Sequence, residues 1–494
     1  MTGKRRVTDT EFDPNLTPWS DKKPSTNGDA ATAEGGEELG SSSSASSTTE
    51  AMDGRMINGE FVKTHGMSWF VSGLFLVGDM AGGGIVALPT AVQQCGFWVG
   101  IIVCVIMAFV ATTSAVLLGR AWLILLRLWP EYRTHCRKPY AEIGYRALGP
   151  KAKSFVSVCL NITQFGRQII LETLFPNIFI IFPNIHDFIV TLWHSGPGVC
   201  IVILFVGLVL WPVTMLKSPE DFWWAIVAGM CSTAVAVVLI LVGAGMDHAA
   251  CGPHRGEPGF RLINFFTALG TVVFTFGGHS TFPTIQHDMR RPAEFTRSAI
   301  MAFASMLTLT LMFNPLNQEA EEFFKVPQEF GIKRVLLRTA MMLAVIFTAE
   351  SVPSFGPVLN LMGASTVTLT CVIFPPIFYL YLNARERKAL QEGEDKSEGC
   401  TLHDVIRLNG RPMLAVCAFI VIVGVIGGGA ATYSAVVEIT GTHFEVPCYV
   451  KPFLHHVDNH TATSTNCCGV YQNISVKGYS ADTFCNEPKL DFYG

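Results

Sequence analysis

The residues best placed to do chemistry sit together in GDMAGGGIVALPTA, from Gly78 to Ala91. Asp79 is a carboxylate inside an apolar run that begins at Trp69, and an ionisable group at membrane depth marks a functional site by default. Gly82, Gly83 and Gly84 follow one turn later, with Pro89 beyond them; these residues resist a continuous helix. Non-helical backbone at that depth survives only where protein or a cavity surrounds it. Freed N–H groups at a half-helix N-terminus attract anions, and freed carbonyls face cations. Together they suit a zwitterion: the glycine N–H groups would take a carboxylate, and Asp79 would pair with an ammonium or carry a proton. Close packing of small residues and a carboxylate that merely caps the interrupted helix are the competing readings.

A second stretch, FTFGGHSTFPTIQ, repeats the pattern. Gly277-Gly278, four residues and Pro283-Thr284 match the spacing of Gly83-Gly84, four residues and Pro89-Thr90. Gly/Pro interruptions at corresponding places in two halves of a hydrophobic chain point to a transporter built from inverted repeats. Gly277 and Gly278 would serve the ammonium, and His279 titrates in the range a proton-coupled carrier needs, unless it is only a hydrogen-bonded interior residue. A third apolar stretch carries Asn161, Gln164, Gln168 and Glu172 on one helical face, with Arg167 beside them. This face either lines the solute path or bonds to neighbouring helices.

The elements that must position these residues are membrane helices. Half the 494 residues are hydrophobic, 15% are charged and the mean hydropathy is +0.38; ordinary soluble domains carry about 25% charged residues. No basic array suggests nucleic acid, and no paired carboxylates, metal-spaced His/Cys cluster or phosphate loop suggests an enzyme or a metal. Residues 1–66 are polar, with SSSSASSTT at Ser41–Thr49, and read as a disordered cytoplasmic tail without a signal peptide. Residues 67–437 read as the membrane domain and 438–494 as an outer tail.

Ten spans of roughly 20 residues are expected: Trp69–Ala91 and Leu262–Ile285 (both broken), Phe97–Leu118, Phe155–Phe182, Val199–Leu216, Phe222–Gly245, Ser298–Phe313, Val335–Val352, Phe355–Leu382 and Met413–Val436. Basic residues in Arg120–Lys153 and at Arg290, Arg291 and Arg297 put those loops inside with the N-terminus. Beyond Arg297 the parity fails. Lys325, Lys333, Arg334 and Arg338 follow a span that should have led outward. The outer tail carries glycosylation sequons at Asn459 and Asn473 and disulfide candidates Cys448, Cys467, Cys468 and Cys485, so it belongs on an oxidising side. An inside start and outside end need an odd count. The suspect is Ser298–Phe313, sixteen residues that reach only about 24 Å as a helix.

At these motifs the chain resembles the amino acid/auxin permease family of amino acid transporters. The likeness runs from about Ser68 to Val437. It rests on GDMAGGGIVALPTAVQQCG, FGGHSTFPTIQHDMRRPAEF, FNPLNQEAEEFFKVP (Phe313–Pro327) and AESVPSFGPVLNLMGAS (Ala349–Ser365). The resemblance implies an all-α, multi-pass bundle with the leucine-transporter fold, two inverted five-helix repeats and an eleventh span. It also implies secondary active transport of amino acids by alternating access, coupled to H+ or Na+, with no cofactor. Similar proteins carry a few dozen more residues between Phe303 and Met312, so the chain resembles a splice variant lacking about one crossing. In sodium-coupled members a hydroxyl of the eighth span helps hold the ion, which makes Thr308 and Thr310 the matching candidates. His279 and Asp79 favour protons over sodium. The rival reading is a non-transporting variant acting as an amino acid sensor or as a regulatory partner of full-length subunits. The expected partners are an amino acid and the bilayer of a plasma or endolysosomal/vesicular membrane; the sequence leaves oligomeric state open.

Overall fold

The computed structural model describes residues 54–80 (except 58), 87–88, 91–181 (except 93 and 135), 204, 207, 208, 211, 261–304, 332–351, 355–392, 400–441, 447, 449 and 450. A hairpin opens it: β1 (Gly54–Ile57) pairs antiparallel with β2 (Glu60–Lys63). Gly59 in the turn has φ 77°, where a residue without Cβ is favoured. This corrects the first expectation, since residues 54–63 were read as part of the disordered tail. The Asn58-Gly59 pair between two short apolar runs is a hairpin signal that the expectation passed over.

Helices follow. They are α1 (Trp69–Met80), α2 (Phe97–Leu128), α3 (Pro139–Leu148), α4 (Pro150–Ile181), α5 (Leu262–Thr275), α6 (Phe282–His287), α7 (Phe295–Ala304) and α8 (Ile332–Ser351). Then α9 (Phe355–Met362) runs through π-helical turns at Gly363–Val367 and Leu369–Ile373 into α10 (Phe374–Glu392). Last come α11 (Leu402–Leu408) and α12 (Arg411–Gly441). Among the described residues, α2, the run from α9 through α10, and α12 are long and apolar enough to cross a membrane, and α1 and α5 are shorter apolar helices. The chain is an integral membrane protein with a helical bundle. Spans outgrow their apolar cores: α2 continues ten residues past the expected Leu118 end, carrying Arg120 and Arg127, because a helix keeps bonding after it leaves lipid.

Cross-links between helix ends establish which ends share a face. The strand leading into α1 pairs with the segment after α6: Met67 N–H donates to Asp288 O at 3.0 Å and Arg290 N–H to Met67 O at 2.9 Å. Gly66 permits this approach, since a Cβ there would stand 2.7 Å from Arg290 N. The chain just past α2 joins this near face through Cys136 N–H and His287 Nε2 (3.3 Å), and α10 joins it through Arg127 and Glu386, paired at 2.7 and 3.0 Å. Asn383 donates to Asn409 at 2.8 Å, so α12 starts there too; its 31 residues, about 46 Å of helix, carry the chain across.

Beyond α12, Tyr449 stacks on Phe347 of α8 with ring centroids 5.7 Å apart. The C-terminal part of α8 is therefore at the far face, and Ile332, at the other end of this 20-residue helix, points to the near one. α7 also starts at the near face; most of the expected span Ser298–Phe313, from residue 305 on, lies outside the described residues. The described α7, ten residues or about 15 Å long, reaches only half-way through a bilayer.

The helices pack tightly around the second interruption. Gly363 and Gly270 bring the π-helical turn against α5 so closely that a Cβ on Gly363 would lie 2.0 Å from Gly270 O. Ser298 Oγ donates to Trp69 O at 2.6 Å and fixes α7 on α1. Gln286 Nε2 donates to Gly119 O and Pro292 O, at 3.1 and 3.0 Å, which locks α6 to α2.

Candidate functional site

The second break is present where the sequence placed it. α5 ends at Thr275 and α6 restarts at Phe282, with Gly277 to Thr281 between them outside the helix. The turn closes on itself: Gly277 N–H donates to Phe274 O at 3.0 Å and Thr281 N–H to Gly278 O at 3.1 Å. Such a turn leaves carbonyls to be satisfied from outside the helix. Thr281 Oγ1 lies 2.9 Å from Gly278 O, and Gly277 O receives the guanidinium of Arg167 through Nη1.

Arg167 enters from α4, and its side chain is 3% exposed. Its Nη2 donates to the backbone carbonyl of Asp79, near the end of α1 as described, at 2.5 Å, while Nη1 stands 3.9 Å from Asp79 Oδ2. The planar fork thus holds one carbonyl from each of the two helices that carry the glycine motifs, a geometry a guanidinium offers and a point-charged ammonium does not. Asp79 is 5% exposed and accepts a 2.6 Å hydrogen bond from Thr281 Oγ1. Gly278 packs closely beside it: a Cβ there would meet Asp79 Oδ2 at 2.7 Å and Met80 Cγ at 2.9 Å, so a larger residue would displace these side chains. The Arg167 guanidinium also lies 5.5 Å from the Phe274 ring centroid, on an apolar wall.

His279 is fully buried, with Nε2 3.0 Å from Ala111 O and its ring 4.8 Å from that of Phe282. Gln164, one turn from Arg167 on α4, is 3% exposed, and its Oε1 finds no hydrogen-bond partner among the described residues. A buried acceptor left unpaired costs about 1–3 kcal/mol, so this atom marks a place where a polar group fits. Opposite the break, the π-helical turns release carbonyls from the regular ladder. Tyr140 Oη takes Thr370 O at 2.5 Å, and Thr368 Oγ1 takes Gly363 O at 2.8 Å.

The structure therefore brings Asp79, Gly277, Gly278 and Arg167 into one cluster, with His279 beside them. Gln168 and Glu172 have described backbone in α4, but their side chains lie outside the description. So do Gly82, Gly83, Gly84, Thr308, Thr310, Asn459, Asn473, Cys448, Cys467, Cys468 and Cys485. Sequence reasoning set Arg167 beside the polar stripe and passed over Thr281. The available signal was charge: a guanidinium at membrane depth needs a counter-charge, and Asp79 is a carboxylate at matching depth.

A family model described as transmembrane amino acid transporter protein matches residues 65–316 and 297–398, which is more than half of the chain. The chain belongs to this family. Its members are transporters rather than enzymes. The chain is 22% identical to the amino acid transporter AVT1E of Arabidopsis thaliana over 416 residues, covering 73% of this chain and 72% of the relative. It is 24% identical to AVT1H of the same plant over 369 residues (63% and 81%). It is 23% identical to the Arabidopsis auxin transporter-like protein 1 over 415 residues (70% and 80%). The two matched segments overlap at residues 297–316.

Proposed function

We propose that this chain is a secondary active transporter that moves amino acids across a membrane by alternating access, coupled to protons or sodium. The reading is carried by the junction of Asp79, Arg167 and the break at Gly277–Thr281, a charged and hydrogen-bonded cluster inside an apolar bundle. Interrupted helices paired in this way fit two inverted repeats, with the substrate carboxylate on the N–H groups of Gly82, Gly83 and Gly84 and its ammonium near Asp79. His279, Gln164, Gln168 and Glu172 border the path, and Thr308 and Thr310 stand as candidates for the coupling ion. The near face is cytoplasmic, since it gathers Arg127, Arg290, Arg291 and Arg385. The tail beyond residue 438 then lies outside, with glycans on Asn459 and Asn473.

Uptake of labelled amino acids into proteoliposomes under an imposed pH or sodium gradient tests this directly. Accumulation above empty vesicles is expected. Saturable binding without accumulation would instead establish the sensor or regulatory reading. The overlap of the family matches at residues 297–316 is the observation that favours that alternative. Loss of a glycosidase-sensitive gel shift on combining Asn459→Gln with Asn473→Gln is expected; a tail never glycosylated would place it in the cytosol.

A further inference from the structure

We propose that Arg167 is the resident cation of the junction, a positioning residue that occupies the carbonyl pole where a coupling metal ion would otherwise bind, so that transport does not require sodium there. The uptake arm of its test rests on the transporter reading above; the stability arm does not.

Three observations combine. Carbonyls at the C-terminal ends of helical segments carry partial negative charge and are the groups that discontinuous membrane helices turn toward cations. Gly277 O, just past the end of α5, and Asp79 O, on α1, each receive a separate nitrogen of one guanidinium. The Asp79 carboxylate adds a further negative group 3.9 Å from Nη1, while Thr281 holds that carboxylate from the other side. Carbonyl oxygens from two helices plus a carboxylate make a hard-oxygen set of the type that binds alkali and alkaline-earth cations. Here the positive charge is tethered to α4 and cannot diffuse away. It supplies from the chain itself the positive charge that an exchangeable ion would otherwise bring to these oxygens.

The tether also ties α4 to the junction of α1 with α5. Any motion that separates these two helices must pull one of the two nitrogens from its carbonyl. Arg167 therefore holds the pair together, and the ammonium of an arriving amino acid competes with it for the same acceptors.

The test uses the full-length protein in two assays, at equal ionic strength in sodium chloride and in choline chloride. Wild type is expected to accumulate a labelled amino acid mixture at rates within about twofold in the two salts, and its thermal midpoint is expected not to respond to sodium. Arg167→Ala is expected to lose about tenfold or more of the uptake in choline and to gain a sodium-dependent rise in thermal midpoint. Arg167→Lys is expected to keep the indifference to sodium, because it restores the charge without the fork. A sodium dependence of uptake that is the same in wild type and in Arg167→Ala would overturn the proposal. So would a folded Arg167→Ala protein whose midpoint ignores sodium. If Arg167→Ala fails to fold, a sodium response in Arg167→Lys overturns the proposal and its absence, with wild type indifferent, upholds it. If wild type accumulates nothing, transport itself is disproved, and the thermal assay still decides the role of Arg167.

Discussion

Two arginines, Arg167 at the centre and Arg146 at the near face, show how one side chain acts in two surroundings. Arg167 is enclosed and satisfies backbone carbonyls beside a buried carboxylate. Arg146 has its guanidinium 4.8 Å from the Trp129 ring centroid and 5.3 Å from that of Tyr132, and bonds Tyr132 Oη at 2.8 Å and the carboxylate of Glu131. Arg385 covers the same Trp129 ring at 5.0 Å and donates to Arg146 O at 2.8 Å. Glu131 is 59% exposed, so water competes for that ion pair. The centre is therefore an electrostatic constraint with few alternatives, whereas the near face holds contacts for which water can compete.

The comparison can be broken at several points. Gly363→Ala should act most strongly, because its Cβ would overlap a backbone carbonyl of α5 that cannot rotate away. Loss of the folded peak in size-exclusion chromatography is the expected result, and an unchanged profile would show the α5 contact to be slack. Asp79→Asn comes next. It keeps the shape and a bond to Thr281 but leaves Arg167 without its counter-charge, and removing one partner of a buried pair costs about 3–5 kcal/mol. A thermal midpoint equal to wild type would show that the pair contributes little at the centre.

Trp129→Leu should cost less, about 0.5–2 kcal/mol, since it removes a ring shared by two guanidinium groups while leaving their hydrogen bonds. The expected signature is faster amide exchange around Trp129 with the centre unaffected. Arg127→Ala is smaller again. Its Glu386 pair is 41% exposed on the arginine side, and such pairs contribute about 0–1 kcal/mol, screened further by salt.

The smallest effect lies in α11, where Thr401 and Asp404 form a capping box. Hydrogen bonds from the Thr401 hydroxyl and backbone hold the Asp404 carboxyl below its ordinary value of 3.8. A depressed folded pKa means stabilisation that is present above 3.8 and lost as pH falls through the lower folded value. Amide exchange in Leu402–Leu408 should accelerate only in that acid range, and Asp404→Asn should abolish the pH dependence.

Much of the architecture was legible in composition and punctuation. Apolar runs marked the spans because lipid admits little but satisfied helices, and Gly277-Gly278 with Pro283 located the second interruption to within a few residues. The hairpin at Gly54–Lys63 was missed through reading a polar tail by composition rather than by its Asn-Gly turn.

The sequence by itself determined that this chain enters a membrane and that one of its helices is interrupted at glycines. These are local or additive properties, readable from residue types and their spacing. Only the tertiary structure decided that Arg167 meets Asp79 and Gly277, that Thr281 holds the carboxylate, and which helix ends share a face. Those contacts join residues 88 and 110 positions apart for Arg167 and 202 apart for Thr281. Whether a buried charge is satisfied depends on groups brought to it by the folding of other helices, and no local pattern records that.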